Sequence, residues 1–126
     1  MDEKVEQADK KEHFCFVIED ENNNLQGSLI IKNIDWRVPK GELAYFIDRG
    51  LEGKGIMTKA LAHLANWCFQ TLGINKLFIL TATGNEASRK TDEKNGFEIE
   101  GILRKNFRIA SGELVDMVYY GLLKKD

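Results

Sequence analysis

The stretch from residue 42 to residue 82 constrains this chain most, because three periodicities follow one another there with short breaks. Glu42-Leu43-Ala44-Tyr45-Phe46-Ile47 reads as a strand ended by Asp48-Arg49-Gly50. Beyond the turn Gly53-Lys54-Gly55, the residues Met57, Leu61, Leu64, Ala65, Cys68 and Leu72 recur at helical spacing and make one apolar stripe that stops at Gly73. Lys76-Leu77-Phe78-Ile79-Leu80-Thr81-Ala82 is then a largely apolar run suited to an interior strand. Strand, turn, amphipathic helix, strand is a βαβ unit with parallel strands, and its helix must lie on a sheet to cover the stripe.

The rest of the chain supplies that sheet. Phe14 to Ile18 is aromatic and β-branched, the cluster Asp20-Glu21-Asn22-Asn23-Asn24 provides turn chemistry, and Gly27 to Ile31 makes the second arm of a hairpin. Asn85 caps a shorter helix running to about Lys94, ended by Asn95-Gly96. Phe97 to Leu103 and Val115 to Leu123 read as two final strands, turning at Ser111-Gly112. Residues 1 to 12 are mostly charged, with Val5 and Ala8 as the apolar candidates for a helix face, and read as a frayed helix or tail. The whole, residues 1–126, is expected to be one α/β (α+β) domain.

Gly53-Lys54-Gly55 carries the first chemical signal. It lies where a strand meets the first turn of a helix, so backbone N–H groups without intrahelical partners and a positive dipole end face outward. Glycines let an anion approach the backbone, and Lys54 adds a positive charge beside it. The dinucleotide motif would need a third glycine where Thr58 stands, and the nucleotide-triphosphate loop would need Ser or Thr where Gly55 follows Lys54, so neither describes the turn. Alone, paired glycines would be no more than a strand-to-helix turn.

They are not alone. Gly41 to Ile47, Glu52 to Leu61, Gly84 to Arg89, Glu93 to Phe97 and Val115 to Tyr120 together resemble the GNAT superfamily of acetyl-CoA-dependent N-acetyltransferases. Within it, the match is to the branch of the ribosomal-protein-alanine N-acetyltransferases, and it runs from about Phe14 to Lys125. The resemblance implies a mixed, strongly twisted sheet of about six strands flanked by helices. Family members generally begin with a further strand and two helices that wall the acceptor side, whereas only Met1 to Glu12 precede the first recognisable strand here.

The same resemblance assigns roles. The phosphate loop falls on Glu52, Gly53, Lys54, Gly55, Ile56, Met57 and Thr58, with Glu52 and Met57 departing from the commoner residue types. Pantetheine would slot beside Phe46 and Ile47, and Asn85 matches the position whose side chain meets that arm. Glu42 matches a glutamate of related enzymes that deprotonates the amine through water, and Ser88 a serine that protonates the leaving thiolate. Against these stand ordinary readings: Glu42 as a solvated strand-end carboxylate, and Ser88 as a first-turn residue bonding to the backbone. Tyr119 and Tyr120 are read as core aromatics, and His13 and His63 make no metal-like cluster. Lys90, Asp92, Glu93 and Lys94 read as a mixed charge run on a solvated helix face.

The co-substrate implied is acetyl-CoA, with no metal, and the acceptor is a protein N-terminus or a small amine. A non-catalytic acetyl-CoA-binding or regulatory module is the alternative. A ribosome-associated or RNA-binding adaptor fits poorly, because a formal charge of −2 gives no broad attraction for phosphate backbones. No apolar run approaches the ~20 residues of a membrane span. Met1 to Glu6 lacks a secretory signal, which leads to an expected cytoplasmic location. Cys15 and Cys68 fall on different elements without metal spacing and are read as core residues. A homodimer stays open.

Overall fold

A computed structural model describes residues 13–125 throughout, together with the strand backbones of Asp2–Lys4, Gln7–Ala8 and Lys11–Glu12. The elements in order are β1 (Asp2–Lys4), β2 (Gln7–Ala8), β3 (Lys11–Glu12), β4 (Phe14–Glu19), β5 (Leu25–Asp35), β6 (Lys40–Ile47), α1 (Ile56–Gln70), β7 (Lys76–Ala82), α2 (Glu86–Lys94), β8 (Glu98–Arg108) and β9 (Leu114–Leu123). Seven strands form one mixed sheet in the order β1-β4-β5-β6-β7-β9-β8, while β2 and β3 pair as a small hairpin. Neighbouring strands of the large sheet are antiparallel except β6 and β7, the parallel pair that the βαβ pattern predicts.

Alternation decides which face is buried. Phe14, Phe16, Leu29, Ile31, Leu43, Leu77, Ile79, Val118 and Tyr120 turn to the side covered by α1, whose Met57, Leu61, Leu64, Ala65 and Cys68 complete the core. Trp67 of α1 meets Phe14 and Phe16 edge to face, with ring centroids 5.5 and 5.1 Å away. The helix stops as its sequence indicates. Gly73 takes φ 74°, and the Ile74 N–H reaches back to the Cys68 carbonyl at 3.1 Å. The opposite sheet face carries Glu42, the exposed Phe46 and a stacked Phe78–Tyr119 pair at 4.9 Å.

Three expectations need correction. Residues 1–12 were expected as a frayed helix or tail, yet Asp2–Lys4 runs antiparallel to β4 and two further short strands follow; Val5 itself lies outside the described residues. The strand expected over Phe97–Leu103 begins at Glu98 and continues to Arg108, while Phe97 is buried and its N–H bonds to the Asp92 carbonyl. Its pairing with β9 shifts register twice, between Ile99 and Gly101 and between Leu103 and Phe107, where Lys105 has φ 47° and donates its N–H to Asp116 Oδ1. Asp92, expected on a solvated face, is fully buried.

Candidate active site

The site begins where the sheet comes apart. Parallel pairing between β6 and β7 joins Lys40 to Lys76, Gly41 to Leu77 and Glu42 to Phe78, and goes no further. Beyond that pair the two strands diverge, and the cavity between them, about 340 Å³, is lined by residues that include Ala44, Tyr45, Ile79, Thr81, Asn85 and Ser88. A strand parted from its neighbour keeps backbone donors and acceptors free on that edge.

A larger cavity of about 420 Å³ adjoins it and shares Tyr45 and Ser88 as lining. One wall is the glycine turn with the start of α1: Gly53, Gly55, Ile56, Met57 and Thr58. Gly53 and Gly55 adopt φ 79° and 76°, the left-handed region that disfavours side chains, and a Cβ at either would meet nothing within 4 Å. Gly55 is the N-cap residue, and no side chain caps α1. Its first-turn N–H groups therefore face open space. The facing wall is α2, which contributes Glu86, Ser88, Lys90, Thr91 and Lys94. Asn95 fastens the two walls together, its Nδ2 donating to the carbonyls of Thr58 at 3.2 Å and Thr91 at 3.1 Å.

Ile47, Gly53, Gly55, Ile56, Met57, Thr58 and Ser88 thus gather round the larger cavity, and Asn85 and Ser88 round the second. Glu42, Phe46 and Lys54 line neither. Glu42 stands at the last paired position, half-buried, with Asn33 Nδ2 donating to its Oε1 at 2.9 Å. Phe46 is 68% exposed on the face away from the helices, so its side chain is no part of either lining. Asn85 Oδ1 accepts from the Ser88 N–H at 3.2 Å as the N-cap of α2. Tyr120 is buried, as read from sequence, and its hydroxyl donates to Glu93 and accepts from Arg89. Cys68 is also buried, which pushes its thiol up to about 12 and keeps it from acting as a nucleophile.

Sequence reasoning missed the cluster beneath the cavities. The Tyr45 hydroxyl donates to Asp92 Oδ1 at 2.6 Å and lies 3.0 Å from the Ser88 carbonyl, and Thr81 Oγ1 donates to Asp92 Oδ2 at 2.8 Å. Burial raises the Asp92 carboxyl to about 6, against the lowering effect of those two hydroxyls, and burial next to Asp92 also pushes the Tyr45 phenol up. One signal was present in the sequence. Leu43–Tyr45 and Leu77–Ile79–Thr81 alternate so that two hydroxyls sit on the core face, where each needs a partner.

A sheet split after a parallel pair, a bare glycine turn at the helix that follows, and a second helix on the facing wall make an α/β fold with an open cleft beside an uncapped helix start. The sequence profile of the Acetyltransferase (GNAT) domain family matches residues 1–98, and the chain belongs to that family. It is 38% identical over 105 residues to the Bacillus subtilis protein named "Putative ribosomal N-acetyltransferase YdaF", covering 83% of this chain and 57% of that one. Among solved structures it is similar to the ribosomal-protein-S5-alanine acetyltransferase of Vibrio fischeri, with a TM-score of 0.86, 28% identity, and coverage of 90% of this chain and 63% of that one. The spermidine/spermine N-acetyltransferase SpeG of Vibrio cholerae gives a TM-score of 0.81 at 26% identity, over 88% of this chain and 65% of that one. The chain therefore spans about six-tenths of the length of these relatives. Among the described residues no helix is long and apolar enough to cross a membrane.

Proposed function

We propose that residues 1–126 form one cytoplasmic N-acetyltransferase domain that moves the acetyl group of acetyl-CoA to a primary amine by direct attack. The observation that carries this reading is the continuity of the glycine cradle with the gap beyond Glu42 and Phe78. The cradle suits a pyrophosphate, and the gap suits an extended pantetheine arm.

In this reading the N–H groups of Ile56, Met57 and Thr58, reached past Gly53 and Gly55, hold the phosphates, and Lys90 and Lys94 add positive charge from the facing wall. Lys54 contributes charge from outside the cavity. The free edge of β6 at Phe46 and Ile47, and the amide nitrogen of Asn85, hold the arm. An α-amino group has a pKa of ~8 and a lysine ~10.4, so the amine must lose a proton before its nitrogen can attack. Glu42 takes that proton through water. As the new C–N bond forms and the C–S bond breaks, the Ser88 hydroxyl gives a proton to the sulfur. The relatives named for a ribosomal protein's alanine and for spermidine suggest two acceptor classes, a peptide N-terminus and a polyamine.

Free thiol followed after mixing the protein with acetyl-CoA and either an Ala-initiated peptide or spermidine tests this. Release above the hydrolysis rate is expected with at least one acceptor, and Glu42→Gln should lower kcat by ~10²-fold. Release that never exceeds hydrolysis sinks the enzyme reading. Exposed Phe46, on the same sheet face as Glu42, favours a second reading, a coenzyme-binding module whose acceptor side another chain completes. Acetyl-CoA would then raise Tm with no turnover of any amine.

A further inference from the structure

Had the β6–β7 ladder continued past Glu42 and Phe78, Tyr45 would stand opposite Thr81. The backbone bonds that would join them are gone. In their place a single carboxyl reaches in from α2: Asp92 Oδ1 takes the hydroxyl of Tyr45 from β6, and Oδ2 takes the hydroxyl of Thr81 from β7. We propose that Asp92 is a positioning residue whose carboxyl bridges the parted strands and so fixes the width of the cleft in which the coenzyme lies.

The geometry suits the role in three ways. Tyr45 lines both cavities, so whatever holds its ring sets a wall of each. Its hydroxyl also lies 3.0 Å from the Ser88 carbonyl, which carries the same tie to the turn of α2 that holds the Ser88 side chain. Asp92 is wholly buried, and Arg89, the neighbouring cation of α2, is turned to the Tyr120 hydroxyl and the Thr83 carbonyl instead. A buried carboxylate that answers two hydroxyls and no cation is costly for stability alone, where a leucine would pack as well. What a leucine could not do is hold two strands at a set distance.

The proposal rests on the coenzyme reading above, and the experiment separates the two. Acetyl-CoA binding is measured by calorimetry on wild type, Tyr45→Phe, Thr81→Val, the double variant, Asp92→Leu and Asp92→Asn, with Tm recorded for each. Cutting either arm should weaken binding about tenfold, and cutting both should do no more than cutting one, since a bridge needs both ends. Asp92→Leu should match the double variant. Asp92→Asn should recover most of the affinity, because its amide accepts from one hydroxyl and donates to the other. Additive losses, or affinities within about twofold of wild type in folded variants, overturn the bridge. If wild type binds no acetyl-CoA, the coenzyme reading falls, and the bridge is judged on amide hydrogen exchange in the free protein. There Tyr45→Phe and Asp92→Leu should speed exchange in residues 43–47 about tenfold more than in residues 14–31; an equal rise in both segments overturns it.

Discussion

The two α-helices among the described residues start in opposite ways. At α2, Asn85 Oδ1 accepts the Ser88 N–H, and Glu86 sets a negative charge in the first turn, so the helix answers its own unpaired donors and its own dipole. At α1 the cap position is Gly55 in the left-handed region, no side chain caps the turn, and no acidic residue stands in it. Both starts border the larger cavity. Helix ends are usually capped when stability is the only demand, and the bare start is the one that the coenzyme reading proposed above gives to the phosphates.

Giving α1 a cap of its own breaks the comparison most sharply. Gly55→Asp sets a negative charge where phosphate should sit, and acetyl-CoA affinity should fall about a hundredfold, while the left-handed φ of 76° there costs the variant about 1 kcal/mol of stability. Calorimetry that finds affinity within threefold would mean that the bare turn receives nothing. Next in size is the charge that α2 keeps without an opposite partner. Asp92 has its folded pKa raised from 3.8 to about 6, mainly by burial, so the folded state holds the proton more tightly than the unfolded one. Stability from that proton is fully present below 3.8 and is lost as pH rises to about 6. Tyr45 on β6, Thr81 on β7 and Glu93 on α2 are the neighbours that bear on it, with Tyr120 of β9 acting on Tyr45, while Arg89 of α2 is turned to Tyr120 and the Thr83 carbonyl. Urea unfolding should therefore show Asp92→Asn gaining on wild type by on the order of 2 kcal/mol between pH 4 and pH 7, and a gap that is flat in pH counts against it.

Removing the cap of α2 should cost less. Asn85→Ala is expected to lower stability by about 1 kcal/mol, and Asn85→Asp to restore it, both read from urea midpoints. If Asn85→Asp also raises KM for acetyl-CoA several-fold, the amide nitrogen has a second duty that the cap does not explain. The smallest effect belongs to Lys54. Exposed and outside both cavities, Lys54→Ala should weaken acetyl-CoA by less than about threefold, and added salt should erase the difference.

What could be read in the chain was what local pattern controls. Lys76–Ala82, the Asn85 cap and the stop at Gly73 follow from propensity, alternation and turn chemistry within a few residues, and the structure has them where those rules put them. The split between β6 and β7 is different in kind. Nothing in the local pattern of Glu42–Ile47 announces that pairing ends at Glu42. Asp92 was misread because it stands among Lys90, Glu93 and Lys94, where local charge suggests water on all sides. Hydroxyls from Thr81 and Tyr45, 11 and 47 positions away in the chain, bury it, and that is information a short window does not hold.

The outermost strand, β8, has a consequence for how the protein behaves when crowded. Ile99, Ile102 and Phe107 stand half in water on a border strand, which is how a sheet invites a neighbour's chain to extend it. Yet the row is broken twice, Lys105 is turned aside onto Asp116, and Glu98, Glu100, Arg104 and Arg108 punctuate the greasy positions. An incoming chain finds no straight row of groups to copy, so at high concentration the protein should resist stacking into fibres in spite of its oily rim.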